Sequence, residues 1–82
     1  MNEKVKKKLF AIFKKILNVS DKTSIDKINY GEISHWDSLK HIRLVIEIEK
    51  IFKIKINEVE ISELSSFKKI LNCVEKHINK KN

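Results

Sequence analysis

Apolar residues recur at helical intervals in three stretches of this chain, separated by polar or alternating connections. Over residues 2–17, Val5, Leu9, Ile12, Phe13 and Ile16 share one face with lysines opposite, which predicts an amphipathic helix. A second helix opens at Asp37 or Ser38, both residue types that cap helix starts, and runs to about residue 52. Leu39, Ile42, Leu44, Val45, Ile46, Ile48, Ile51 and Phe52 are too many for one narrow stripe. That helix is therefore either central or offers apolar surface to a partner. Ser65 or Ser66 caps a further helix to about residue 78, built on Phe67, Ile70, Leu71, Val74 and Ile78.

The connections differ in kind. Residues 18–36 are rich in Asn, Ser, Asp and Lys and hold the only glycine, Gly31. Ile25, Ile28, Tyr30 and Ile33 are scattered through them, so this long loop is expected to be ordered across the helices. Ile54 and Ile56 alternate with Lys53 and Lys55, which is strand-like in isolation, but no second strand is there to pair with. The stretch reads as a link leading to a short helical turn over residues 58–61. The expectation is an all-α fold: a small four-helix bundle of three longer helices and one short, with a long loop between the first two. Residues 1–82 make one domain.

Size and charge then narrow the function. A chain this short buries only about 60% of the surface its unfolded form exposes, enough for a modest core but not a deep catalytic cleft. No run of about 18 apolar residues is present, so no stable membrane insertion is expected. Lysines interrupt the apolar residues at the start, which predicts no signal peptide. Cys73 is the only cysteine and cannot form an internal disulfide, which points to a reduced, cytoplasmic setting. The net charge of +7 invites an alternative of another class, a basic helical module on nucleic acid or an anionic membrane through Lys4, Lys6, Lys7, Lys8, Lys14 and Lys15. That excess sits at the two ends of the chain, lacks the interleaved aromatics of single-strand binders, and is matched by a Lys, Ile and Asn bias that AT-rich coding also produces.

One segment carries specific chemistry. His35-Trp36-Asp37-Ser38-Leu39 leads without a gap into an apolar helix that ends on Glu47, Glu49 and Phe52. A linker closing on Ile56, a short helix from Glu58 to Ile61, and Ser65-Ser66 before Phe67 follow. Asp-Ser at a helix start is by itself ordinary capping. The whole succession, over nearly the entire chain, resembles the acyl carrier protein family around its phosphopantetheine site. The resemblance implies a non-catalytic carrier whose Ser38 bears a covalent 4′-phosphopantetheine arm, with Asp37 and Leu39 beside it. A phosphopantetheinyl transferase would install the arm, engaging Asp37 through its metal. Loading and transferring enzymes would then exchange an acyl group as a thioester. Cytoplasmic biosynthesis of fatty-acid or polyketide type, and a monomer that shows its site to several enzymes, belong to the same expectation.

Physical chemistry suits those positions. A hydroxyl in the first turn of a helix is open to a transferase, and a phosphodiester there lies against free backbone N–H groups and the positive end of the helix dipole. Lys40 and His41 stand close enough in sequence to add positive charge. Trp36, Lys40, Arg43, Ile46 and Glu47 are the candidate partner-binding residues, with Leu39 and Ile51 as further apolar contacts. For Trp36 the competing reading is an aromatic that packs the loop; for Leu39 and Ile46 it is helix core. Lys40, Arg43 and Lys50 cancel Asp37, Glu47 and Glu49, whereas carriers of fatty-acid synthesis are commonly acidic along this helix. A dedicated carrier of a specialised pathway is the expectation, with an aminoacyl or peptidyl carrier of a nonribosomal system as the alternative. His35, His41 and His77 are read as lacking ligand spacing with one another or Cys73, so no metal is expected. No nucleophile–base–orienter set or glycine-rich phosphate loop is visible, so no enzyme is expected.

Overall fold

In the computed structural model, which describes residues 3–33 and 35–81, four α-helices follow one another: α1 Glu3–Leu17, α2 Ser38–Phe52, α3 Glu58–Glu63 and α4 Phe67–Lys81. A 3-10 turn, Ile25–Lys27, interrupts the loop after α1. The fold is small and all-α, as the periodicity predicts. Val5, Leu9, Ile12, Phe13 and Leu17 of α1 are buried against Leu44, Val45 and Ile48 of α2 and Phe67, Ile70, Leu71 and Val74 of α4. These residues join Ile28, Trp36, Ile54, Ile56 and Leu64 in one continuous hydrophobic cluster. At its centre the rings of Phe13 and Phe67 stand 5.0 Å apart, and Phe13 meets Trp36 edge-on at 5.6 Å.

The helix ends explain the boundaries. α1 and α2 both stop on a residue in the left-handed conformation, Asn18 and Lys53, each at φ 55°. Each donates its N–H four residues back, to Lys14 and Glu49 respectively, closing an otherwise open carbonyl. α3 starts in a capping box: the Asn57 side chain accepts from the Glu60 N–H at 2.8 Å, and the Glu60 carboxylate accepts from the Asn57 N–H at 3.5 Å. α4 is capped by Ser66, whose hydroxyl accepts from the Lys69 N–H at 3.1 Å. It runs beyond the expected end near residue 78, because residues 79–81 hold no glycine or proline to stop it.

The long loop is ordered by the start of α4. The Phe67 N–H donates to the Ile28 carbonyl at 2.9 Å, and the Tyr30 N–H to the Ser65 carbonyl at 2.8 Å, around an isolated bridge between Asn29 and Ser66. Ile28 is fully enclosed. The link after α2 is not a strand. Ile54 and Ile56 both bury their side chains, and the Glu49 carboxylate accepts from the Ile56 N–H at 2.8 Å. No helix among the described residues is long and apolar enough to cross a membrane.

Candidate functional site at the start of the second helix

Asp37 is the N-cap of α2: its backbone is extended, and its carboxylate accepts from the Lys40 N–H at 2.9 Å. Ser38 is thereby the first helical residue, and it is exposed. Because Asp37 takes the third N–H of the turn, the amides of Ser38 and Leu39 are the ones left outside the intrahelical ladder, aligned with the helix dipole. Ser38 opens onto a shallow groove of about 310 Å³ lined with Tyr30, His41, Ile42, Ser62, Leu64 and Ser65. Replacing Asp37 with Ala should cost about 1 kcal/mol by removing the cap. A melt of that variant should fall by roughly 4–8 °C, and an unchanged midpoint would show that the cap contributes nothing.

Trp36 does not lie where a partner could touch it. It is only 2% exposed, boxed by Phe13 and by Tyr30, whose ring stands 5.5 Å away. The expectation of a partner-binding Trp36 is corrected: it anchors the loop to the core, and the indole was drawn inward because α1 and the loop supply aromatic faces to meet it. Its Nε1–H donates to His41 Nδ1 at 3.1 Å, and His41 Nε2 lies 2.8 Å from the Ile61 carbonyl. Those partners place the imidazole proton on Nε2 and leave Nδ1 as an acceptor. His41 is thus a brace between α2 and α3. His35 is likewise structural, its Nε2 bonding the Leu17 carbonyl at the end of α1.

The outer face of α2 is the other exposed feature. Leu39, Ile42 and Ile46 are 60%, 53% and 56% exposed, which favours surface over core for Leu39 and Ile46. They form an apolar stripe leading away from Ser38, flanked by exposed Arg43 and Lys50 and half-buried Lys40. Ile51 is 43% exposed to the side of it. Glu47 is less available than its position suggested, since its carboxylate meets the Lys15 ammonium of α1 at 3.1 Å. Glu49 holds the Ile56 amide. Both acids of the helix are therefore spoken for by internal partners. Ile42 was not singled out in the sequence, although its spacing of three from Leu39 and four from Ile46 was a usable signal.

No protein-family model matches this chain, and no curated protein matches it in sequence.

A second cluster lies on the other side of α3. The Glu60 carboxylate meets His77 Nε2 at 3.0 and 3.1 Å, and the Cys73 thiol donates to it at 3.4 Å. Burial alone would raise the Glu60 carboxyl, but the hydrogen bonds of His77, Cys73 and Asn57, with the charge of His77, outweigh it and hold the group below its usual range. Burial, with the hydrogen bond and negative charge of Glu60, pushes the Cys73 thiol up to about 11. The reading that His77 and Cys73 lack ligand spacing is corrected: they stand one helical turn apart on α4.

Proposed function

We propose that this chain is a carrier protein of the acyl carrier type, holding its cargo through a 4′-phosphopantetheine arm on Ser38. The observation that carries the reading is the setting of that hydroxyl: exposed, at the first residue of an Asp37-capped helix, at the mouth of a groove and the head of an apolar stripe. The residues fit the group, because the outward hydroxyl can take a phosphodiester while the Ser38 and Leu39 amides face its charge. In that reaction Ser38 Oγ forms the new bond to phosphorus and gives up its proton, as adenosine 3′,5′-bisphosphate leaves coenzyme A. The arm, once bound, supplies the thiol that carries an acyl group as a thioester. The chain's own residues present and orient it: Asp37 holds the turn, Trp36 and His41 brace it, and Leu39, Ile42 and Ile46 offer apolar contact to loading and transferring enzymes. Such a shuttle works as a cytoplasmic monomer.

The experiment is direct. Incubated with coenzyme A and a broad-specificity phosphopantetheinyl transferase, the protein should gain the mass of one arm. A protein of unchanged mass, under conditions that modify a known carrier, overturns the reading.

The charge of α2 supports a dedicated pathway. With Glu47 and Glu49 engaged internally, Lys40, Arg43 and Lys50 dominate the exposed stripe. Partners should then carry acidic rims, because docking depends on complementary sign. This carrier should fail to replace a general carrier of fatty-acid synthesis in a complementation assay; full support of growth would refute the dedicated role. The same surface suits an aminoacyl cargo, since the loading enzyme chooses the group. A nucleic-acid or membrane role gains nothing from the structure, where Lys14 and Lys15 pair with Asp21 and Glu47.

A further inference from the structure

Glu60, Cys73 and His77 bring a carboxylate oxygen, a thiol sulfur and an imidazole nitrogen within 4.8 Å of one another, and all three residues are half-buried or better. In a tetrahedral zinc site, with metal–ligand bonds of about 2.0–2.3 Å, ligand atoms stand roughly 3.3–3.7 Å apart. Of the two contacts to Glu60, the 3.4 Å from Cys73 falls within that spacing and the 3.0 Å from His77 is a few tenths of an ångström short of it. The backbone positions are held: Cys73 and His77 by one turn of α4, and Glu60 by the capping box that starts α3. Among the described residues this is the one group of three such donors.

We propose that Glu60, Cys73 and His77 form a binding site for a divalent cation of the zinc class, fastening α3 to α4. A thiolate, an imidazole and a carboxylate are the donor set that zinc accepts with a fourth position left open. Glu60 and Cys73 line a groove together with Ser62, Leu64, Asn72 and Lys76, from which a water can complete the shell. On binding, the Cys73 thiol releases its proton to solvent and the sulfur bonds the cation, while the proton that His77 Nε2 presents to Glu60 passes through solvent to Nδ1, so that Nε2 and one Glu60 oxygen donate lone pairs. Thiolate and carboxylate together neutralise the double charge, which matters because Lys69 and Lys76 line the same groove. Without the cation, the thiol and imidazole are held by the same carboxylate, so the ligands are gathered before it arrives. The consequence reaches the other site, since the Ile61 carbonyl on α3 holds His41 beside Ser38. This inference goes beyond the carrier reading and makes no use of Ser38.

The test is a cobalt(II) titration of the full chain in its reduced form, with zinc(II) as competitor. The wild type should develop a thiolate-to-cobalt charge-transfer band and tetrahedral d–d bands that saturate at one equivalent and vanish when zinc is added. His77→Gln and Glu60→Gln, checked by circular dichroism for an intact fold, should each weaken binding by roughly tenfold or more. Ser38→Ala should bind as the wild type does, which separates this outcome from the fate of the carrier reading. Absence of the bands in the wild type overturns the proposal. So does wild-type affinity in both the His77 and Glu60 variants, which would mean capture by the thiol alone.

Discussion

Replacing Phe13 with Ala is expected to remove about 3–5 kcal/mol of folding free energy, the range found when a buried phenylalanine is cut back to a methyl. The ring is fully enclosed and stands between Phe67 at 5.0 Å and Trp36 at 5.6 Å. It therefore joins three segments distant in sequence: α1, α4 and the end of the loop that delivers Ser38. A small domain of this length holds only about 4–12 kcal/mol in total, so the variant should be marginal at room temperature. Urea denaturation should show the midpoint collapsing, while Phe13→Leu, which keeps most of the volume, should lose under about 1.5 kcal/mol. Because Trp36 packs on this ring, its fluorescence should report the same transition. A loss below about 1 kcal/mol for the alanine variant would show that the core does not depend on this node.

The second large effect concerns chemistry and not stability. Ser38→Ala is expected to abolish attachment of the arm completely, because Ala offers no oxygen to form the bond to phosphorus. Its folding free energy should move by no more than about 0.5 kcal/mol, since the side chain is exposed and the cap is made by Asp37. The two readouts separate cause from damage: an intact melt with no mass gain assigns the loss to the hydroxyl. Mass gain in the alanine variant equal to that of the wild type would place the modification elsewhere and sink the carrier reading.

The helices were legible in the sequence because their buried faces are long and periodic. Val5, Leu9, Ile12 and Phe13 repeat at three and four, and the core uses each of them. The caps were legible to within one residue, as Asp37 or Ser38 and as Ser65 or Ser66, because a short polar side chain before an apolar run can accept from the amide three residues on; the hydrogen bonds select Asp37 and Ser66. The end of α1 at Asn18 and of α2 at Lys53 carried weaker signals: lysine has no local preference for the left-handed conformation it adopts.

The candidate site divides along the same line. That Ser38 would stand in the first turn of a helix followed from sequence, since both its cap and its helix are local. What surrounds it did not. Trp36 turns inward, and His41 becomes a brace, because Phe13, Tyr30 and the Ile61 carbonyl arrive from three other parts of the chain. Glu47 and Glu49 look like free acids along α2 until Lys15 and the Ile56 amide take them. Cys73 and His77 share a face by helical spacing alone, but their partner Glu60 reaches them only when α3 folds back on α4. Periodicity and capping act between neighbours in sequence, so the chain itself determined where its helices lie and where its hydroxyl is presented. Which side chains face solvent, which charges remain unspent and which donors converge depend on contacts between distant segments, and only the packed bundle decided those.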